Sequence, residues 1–217
     1  MKRIALVGPG DINFHFYNLL GLKEKELESE LKKIAQALVE SEVGIELLPD
    51  KGISLEIAKQ YKSANGKEVI GTIPTDDKTF GVTHLEEYKN LKQNGVNLFD
   101  RFINTGDWFK QDMTKGLFGD AVLYLGSSPG TDLETNAAIY LYKLFKGFKS
   151  GVSVMQQKVH PEIRAGQEND FTILIYSPFL KSGRLPLETE AYLEKFEIKY
   201  YYVKNAKELK QKINSLH

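Results

Sequence analysis

The sequence has 217 residues, a length that suits one α/β domain and allows it to bury a large core. Lys and Arg together number 29, as do Asp and Glu, so the formal net charge of +0 argues against a nucleic-acid binder that works by bulk charge. The absence of cysteine excludes disulfides, cysteine-rich zinc sites and thiol catalysis, and the four histidines are too scattered to form a metal-ligand motif.

Neither a membrane span nor a secretion signal is evident in the sequence. No stretch approaches the ~18 apolar residues of a membrane span, and the apolar run near the N-terminus is too short for a signal peptide. We therefore expect a cytoplasmic protein whose partners include neither a membrane nor a nucleic acid.

The first two thirds of the chain predict strands that alternate with helices. The apolar strands are, in order, RIALVG, VGIELLP, KEVIGTIP, LFDRFINTG and AVLYLG. KEKELESELKKIAQALVES repeats apolar residues at steps of three and four, which predicts an amphipathic helix. SLEIAKQYKSA, DWFKQDMTKGLF and residues 132–145 are predicted as the next helices, and residues 75–96 as a polar loop with room for a short helix.

The last third continues the same alternation. GVSVMQQ and FTILIYSP are predicted as strands, LETEAYLEKF as a helix, KYYYV as a strand and NAKELKQKINSL as a C-terminal helix. This order implies βαβ units and a mostly parallel sheet. Because no composition shift marks a boundary, the prediction is a single Rossmann-like α/β domain over residues 1–217. Its three layers are the sheet and the helices on both of its faces.

Turns of small residues follow four of the predicted strands, at residues 8–11, 49–52, 74–77 and 126–131. Ligands of an open parallel sheet bind beyond the carboxyl ends of its strands, where these turns would meet. Glycine and serine let the backbone approach a ligand closely, and the free amides of the next helix favour a phosphate. The last turn, GSSPGT before a long helix, suits a phosphate best.

Each of these motifs also has a purely structural interpretation. Thr131 and Glu134 fit a capping box, in which the threonine caps the helix and the glutamate bonds back to it. Gly8-Pro9-Gly10 fits an ordinary tight turn, and Asp50 and Lys51 fit solvated turn residues. For Glu134 the sequence alone leaves both the structural and the functional interpretation open.

Two longer motifs carry a resemblance to a known family. NGKEVIGTIP is similar to a family strand motif, and GDAVLYLGSSPGTDLE to a GGxGTxxE element, with Gly130, Thr131 and Glu134 in place. Their order resembles the Lonely Guy superfamily of Rossmann-like proteins. That superfamily includes cytokinin-activating phosphoribohydrolases, often mislabelled lysine decarboxylases, and molybdenum-cofactor carriers. The resemblance implies a Rossmann-like fold, a nucleotide phosphate as ligand and a homodimer. Nucleoside deoxyribosyltransferases carry a similar turn and glutamate.

Two departures from the family pattern bear on the chemistry. The glycine-rich second loop of the family is LLPDKGIS here, with Gly52 as its one glycine, and Ser127-Ser128 replaces the first glycines of GGxGT. The arginine that the family's hydrolases use together with the glutamate falls at Gln111, which supplies neither a fixed charge nor a bidentate fork. Lys110 and Lys115 are nearby cations outside the expected register.

The sequence therefore predicts a protein that binds a nucleotide or a nucleotide-like phosphate ligand, as a sensor or carrier, with no cofactor required and no metal. The alternative is a phosphoribohydrolase that cleaves the N-glycosidic bond of nucleoside monophosphates, with Glu134 as the catalytic carboxylate and Gln111 at the second catalytic position. The sequence also fits an interaction protein in which this site has lost its original function. Gly130 is expected to need a close approach or an unusual backbone angle. The predicted phosphate-binding residues are Gly8, Pro9, Gly10, Gly52, Gly126, Ser127, Ser128, Gly130 and Thr131.

Overall fold

A central parallel sheet organises the computed structural model, which describes residues 1–146, 151–167 and 170–216. The strands are, in chain order, β1 (Arg3–Val7), β2 (Gly44–Leu47), β3 (Val69–Ile73), β4 (Lys92–Gln93), β5 (Val96–Asn97), β6 (Arg101–Asn104), β7 (Ala121–Tyr124), β8 (Thr172–Tyr176) and β9 (Lys199–Val203). Seven of them form one sheet in the order β6-β3-β2-β1-β7-β8-β9, and every pairing in it is parallel. The remaining two, β4 and β5, form a small antiparallel hairpin.

Helices cover both faces of this sheet. The α-helices are α1 (Glu24–Glu40), α2 (Ile53–Ser63), α3 (Glu86–Lys89), α4 (Trp108–Thr114), α5 (Pro129–Lys146), α6 (Gly151–Lys158), α7 (Leu187–Lys195) and α8 (Ala206–Ser215). A π-helix (Asn13–Leu19) follows β1, and 3-10 turns occupy Thr83–Leu85, Lys115–Phe118 and Ser177–Phe179. Helices α1, α2 and α8 lie on one face, and α4, α5 and α6 on the other. In the part of the chain described here, no helix is both long and apolar enough to cross a membrane.

Alternate residues of each strand serve two separate cores, as the two-residue period of a strand requires. In β1, Ile4 and Leu6 belong to the core beneath α1 and α2, whereas Ala5 and Val7 belong to the core beneath α5. Both faces are therefore buried, which explains why the strands appear in the sequence as continuous apolar runs. In β2 the same alternation places a charged residue, Glu46, on the α5 side, fully buried.

The order of the strands creates one switch point, beside β1. From β1 the chain adds β2, β3 and β6 in one direction, and then returns to add β7, β8 and β9 in the other. The loops after β1 and β7 consequently leave the sheet toward opposite faces and open a crevice between them. In open α/β sheets such a crevice is where ligands bind.

The predicted fold class is confirmed: the chain forms a Rossmann-like α/β domain with three layers. The predicted strand GVSVMQQ is wrong, because these residues form α6. Val152, Met155 and Val159 are spaced by three and four residues and contact the core beneath α5 as one helical face. The segment 75–96, predicted as a loop with room for a short helix, contains the short helix α3 and a 3-10 turn, and also part of the β4–β5 hairpin, which was not predicted.

Candidate functional site

A cleft of about 200 Å³ lies at the switch point, at the carboxyl edge of the sheet. The loops after β1 and β2, the start of α5 and one lysine after α4 enclose it. Its lining residues are Gly8, Gly10, Leu48, Asp50, Lys51, Gly52, Ser54, Lys115, Ser128, Gly130, Thr131 and Glu134. Seven of these are among the residues predicted from the sequence: Gly8, Gly10, Gly52, Ser128, Gly130, Thr131 and Glu134. We call this space the switch-point cleft.

Two glycines of the cleft hold the turn after β1 against the start of α2. Gly52 precedes α2 with a φ of 128° and a ψ of −174°. A Cβ atom at Gly52 would lie 2.7 Å from both the Pro9 carbonyl oxygen and the Gly10 Cα. A Cβ at Gly8 would lie 2.4 Å from the Ile53 side chain. Since real Cβ atoms do not approach neighbours so closely, both positions require glycine.

The same contact brings a helix N-terminus to the cleft. The Ile53 amide donates to the Pro9 carbonyl at 3.1 Å, which fixes the first residue of α2 beneath the turn. Ser54, one residue on, lines the cleft, and its buried hydroxyl has no hydrogen-bond partner among the described residues. A buried hydroxyl normally has a partner. An unpaired hydroxyl in the wall of a cleft, beside a helix N-terminus, leaves a donor for an anionic ligand that reaches it.

The start of α5 forms the opposite wall, and its cap differs from the predicted one. The helix begins at Pro129, a position that suits proline. Ser128 caps it, since the Thr131 amide donates to the Ser128 Oγ at 3.3 Å and the two hydroxyls lie 2.8 Å apart. Thr131 is therefore inside the first turn, and the capping box between Thr131 and Glu134 does not form.

Glu134 instead forms an ion pair with Lys115, which lies outside the register of the family's arginine. The Nζ atom of Lys115 lies 2.9 Å from the Oε2 atom of Glu134, and their side chains are only 6% and 11% exposed. Lys115 begins the 3-10 turn after α4, and both residues line the cleft. A buried cation and a buried carboxylate thus share one wall of the space that a ligand would enter.

Gln111, at the position of the family's arginine, lies outside the lining of the cleft. It is fully buried, accepts a hydrogen bond from the Thr105 hydroxyl at 2.7 Å and donates one to the Thr72 hydroxyl at 2.8 Å. These bonds use both ends of its amide and connect α4 to the ends of β3 and β6. The cation nearest to Glu134 therefore comes from Lys115, four residues and about one helical turn further along the chain.

Three other predicted residues support the loops without lining the cleft. Gly126 has a φ of 125°, and a Cβ there would lie 2.6 Å from the His15 ring, which bonds to the Phe179 carbonyl. Ser127 donates to Asp132 at 2.7 Å. Pro9 contributes its carbonyl to the start of α2, as described above. All three lie behind the residues that line the cleft and help to hold its loops in place.

Gly130 lines the cleft, but it does not have the unusual backbone angle that was one expected reason for a glycine, and close approach to a ligand stays a prediction. Its φ is not positive, and a Cβ atom there would meet no protein atom within 4 Å. The residue lies in the exposed first turn of α5, where the backbone has ordinary helical geometry. No neighbouring protein atom therefore requires glycine at this position.

A buried carboxyl lies beneath the cleft, in the middle of β2. Neither oxygen of Glu46 has a hydrogen-bond partner with good geometry among the described residues, although the Thr72 hydroxyl is close enough to lower the pKa of Glu46. Burial raises the pKa of Glu46 to about 8, although the charges of Lys115 and Arg3 act in the opposite direction. Burial, together with the charge of Glu134, also raises the pKa of Asp112, to about 6. At neutral pH this region carries less negative charge than its carboxyl groups would suggest.

Replacing Glu46 by glutamine is expected to flatten the pH dependence of stability. A carboxyl whose pKa rises on folding favours the folded state below its ordinary pKa of 4.5, and this stability is lost as the pH rises toward about 8. Between about pH 5 and about pH 8, the wild type should lose on the order of 3 kcal/mol relative to Glu46→Gln. Urea denaturation across this range measures the difference. A difference that stays constant with pH would show that Glu46 does not titrate in this way.

Three solved structures share this fold over nearly the whole chain. The molybdenum cofactor carrier protein of Chlamydomonas reinhardtii is 13% identical, with a TM-score of 0.55 and coverage of 98% of this chain and 95% of that chain. The molybdenum cofactor binding protein of Rippkaea orientalis is 14% identical, with a TM-score of 0.56 and coverage of 99% and 96%. The protein TM1055 is 16% identical, with a TM-score of 0.52 and full coverage of both chains.

The chain shares its fold with molybdenum cofactor carrier proteins. At these identities the likeness shows the fold alone, and neither a protein-family model nor a curated protein matches the sequence. The likeness nevertheless contradicts the expectation that no cofactor is required. Two of the proteins that share the fold are named for a cofactor that they carry or bind.

Proposed function

We propose that this protein binds a phosphate-bearing cofactor or nucleotide in the switch-point cleft and acts as its carrier or sensor. The observation that supports this most is the unpaired Ser54 hydroxyl, buried in the wall of the cleft beside the N-terminus of α2. The N-terminus of α5 forms the other wall, so two helix dipoles favour negative charge in the same space. Gly8 and Gly52 keep the backbone close enough to touch a phosphate.

A molybdenum cofactor is one member of the ligand class to be tested, because two proteins with this fold are named for it. The lining fits a phosphate group, through Ser54 and the helix amides, better than it fits a metal. The sequence has no cysteine to offer a thiolate, and no cluster of three or more metal-binding side chains occurs within the described ranges. This protein would therefore hold such a cofactor through its phosphate and organic parts.

The proposal is tested first by ligand-dependent thermal stability. Nucleoside mono-, di- and triphosphates and isolated molybdenum cofactor are compared for their effect on the melting temperature. A ligand that binds only the folded state stabilises it by ~2.7 kcal/mol at a hundredfold excess over its dissociation constant. If none of these compounds, and no simpler phosphate ester, shifts the melting temperature, the proposed function is contradicted.

Ser54→Ala is expected to weaken binding of the best ligand from that screen about 10- to 100-fold, because a hydrogen bond to a charged group is lost. The unfolding free energy of the free protein should hardly change, since the Ser54 hydroxyl has no hydrogen-bond partner among the residues that the structure describes. Thr135→Val is the matched control: it removes another buried, unpaired hydroxyl, which does not line the cleft. Calorimetric titration of both variants measures the affinities. Equal affinities in the two variants would remove Ser54 from the site.

A second candidate function, hydrolysis of an N-glycosidic bond, is favoured by the position of Glu134. Its carboxylate lines the cleft, and Lys115 supplies a cation where the family's arginine is missing. A carboxylate beside a bound ribose could stabilise a developing oxocarbenium ion. Release of free base from nucleoside monophosphates at ~1–1000 per second would favour this enzyme over a carrier. Binding without base release would favour the carrier.

We further propose that the protein is a homodimer. Phe109 of α4 and Leu133 and Tyr140 of α5 are 70%, 50% and 52% exposed, on two helices that pack against each other. Exposed apolar side chains grouped in this way often mark a protein interface. Sedimentation equilibrium gives the mass directly, and a monomer at high protein concentration would contradict the proposal.

A further inference from the structure

Four ionisable side chains are grouped on the α5 side of the switch-point cleft. Lys115 and Glu134 form an ion pair in its wall, and Glu46 lies fully buried beneath them in β2. Asp112, on α4, is half-buried and close enough to the same pair to respond to both of its charges. Three carboxyl groups thus surround one ammonium group. If all three were ionised, excess negative charge would lie beside a space proposed to take an anion, and would oppose its binding.

Glu46 is the member of this group that lies deepest. Its side chain is fully buried, and neither carboxyl oxygen has a hydrogen-bond partner with good geometry among the described residues. The charged or hydrogen-bonding groups that act on it are Arg3 on β1, the Thr72 hydroxyl on β3, Lys115 in the turn after α4 and Glu134 on α5. Burial outweighs the two cations and raises the pKa of Glu46 to about 8, so the carboxyl is mostly neutral at pH 7.

We propose that anion binding in the switch-point cleft is coupled to protonation of Glu46, so that the protein takes up a proton as it binds its ligand and loses affinity as this carboxyl ionises. The coupling rests on the proposed function and adds a regulation of the same site. While Glu46 is neutral, the charge of Lys115 is opposed by Glu134 in the cleft wall and by half-buried Asp112. When Glu46 ionises, a further negative charge lies beneath the space that the ligand enters.

The sign and size of the effect follow from electrostatics. An anion favours the neutral form of Glu46, so its affinity is highest below about pH 7 and falls as the pH rises through about 8. One unit charge at a separation of about 10 Å, in an effective dielectric constant of about 20, changes the affinity about tenfold. Burial raises the pKa of Asp112 only to about 6, so Asp112 is already ionised where Glu46 titrates. The two steps are therefore separated in pH.

The coupling is tested by calorimetric titration of sulfate and of adenosine monophosphate between about pH 7 and about pH 9.5. Both probes keep a nearly constant charge over this range, because a phosphate monoester loses its last proton near pH ~6. The affinity of the wild type for each probe should fall about five- to tenfold as the pH rises. Glu46→Gln, whose amide resembles the protonated carboxyl, should bind both probes with a nearly constant affinity across the range.

Proton uptake can also be measured directly. At about pH 8 the binding enthalpy of the wild type should depend on the ionisation enthalpy of the buffer, and that of Glu46→Gln should not. In infrared spectra of the wild type, the carbonyl stretch of a protonated carboxyl should disappear as the pH rises through about 8. Saturating sulfate should move the midpoint of this change upward by about one pH unit, since coupling between ligand and proton is reciprocal.

Glu190→Gln is the matched control. Glu190 is another buried glutamate, on α7 and outside the lining of the switch-point cleft. Its hydrogen bond from Arg184 lowers the pKa of Glu190, so this carboxyl is ionised throughout the range. The variant should therefore show the same fall in affinity with pH as the wild type.

The outcomes separate failure of the coupling from failure of the proposed function. A wild-type affinity that does not change with pH, or a fall that persists in Glu46→Gln, overturns the coupling and leaves the anion site in place. If Glu46→Gln does not fold, the infrared midpoint of the wild type decides, and a midpoint that saturating sulfate leaves unchanged overturns the coupling. If neither these probes nor any other phosphate ester binds, the proposed function itself fails.

Discussion

Lys115→Met is expected to destabilise the folded protein by about 3–5 kcal/mol at neutral pH, because it leaves a buried carboxylate without its cation. The Lys115 ammonium lies 2.9 Å from Glu134, and its charge also favours the ionised form of Glu46. Methionine keeps the length of the side chain but removes the charge. Urea denaturation at about pH 7 measures the effect.

A lysine on the neighbouring helix provides a matched control for Lys115. Lys110 is exposed on α4 and pairs loosely with Asp107 at 3.5 Å, so Lys110→Met should leave the unfolding midpoint unchanged. In the double variant Lys115→Met/Glu134→Leu neither partner of the pair remains, and much of the lost stability should return. If Lys115→Met alone is as stable as the wild type, the buried pair does not contribute as we propose.

Gly52→Ala is expected to cost about 3 kcal/mol or more in stability and to abolish binding of the phosphate ligand. The φ of 128° and ψ of −174° lie in a region that is open essentially to glycine alone, at a cost of ~1–3 kcal/mol for other residues. The new methyl group would also overlap Pro9 and Gly10 at 2.7 Å, so the turn after β1 must move. The melting temperature should fall by roughly 6–12 °C, which calorimetry measures.

Gly130→Ala provides the control on the opposite wall of the same cleft. A Cβ atom there meets nothing within 4 Å, and the backbone is helical. Alanine favours a helix over glycine, so the variant should be as stable as the wild type or more stable by up to about 1 kcal/mol. Equal losses in Gly52→Ala and Gly130→Ala would mean that the two glycines do not differ as the backbone geometry indicates.

The predicted strands and helices agree with the structure where a local sequence pattern determines the conformation. The apolar runs became buried parallel strands, and Leu27, Leu31 and Leu38 lie on one buried face of α1. The prediction failed at GVSVMQQ, a short segment whose β-branched residues suit a strand but which packs as α6 against the core beneath α5. For so short a segment, tertiary packing decides between helix and strand.

The residues of the candidate site also differ in whether the local sequence or the tertiary structure determines their position. The turns at the carboxyl edge, and Glu134 at the start of α5, could be predicted because glycine, proline and serine between a strand and a helix act locally. The partner of Glu134 could not be predicted. Lys115 is 19 residues distant in sequence, and only the 3-10 turn after α4 brings it to the carboxylate. Alignment with the motif put the family's arginine at Gln111, which carries no charge, and left Lys110 and Lys115 as cations outside the register. The fold brings Lys115, four residues after Gln111, to the Glu134 carboxylate.

The sequence by itself therefore determined the alternation of the seven sheet strands with most of the helices, because this follows from periodicity and from residues that restrict their own backbone. With that alternation it also determined the sheet edge at which a ligand can bind. The tertiary structure alone decided which side chains face that edge. Ser54 is one of three serine residues that line or flank the switch-point cleft, and nothing in LLPDKGIS distinguishes it. Ser54 lies in the wall of the cleft because Gly52 allows α2 to begin against the turn after β1, a contact between segments more than forty residues apart.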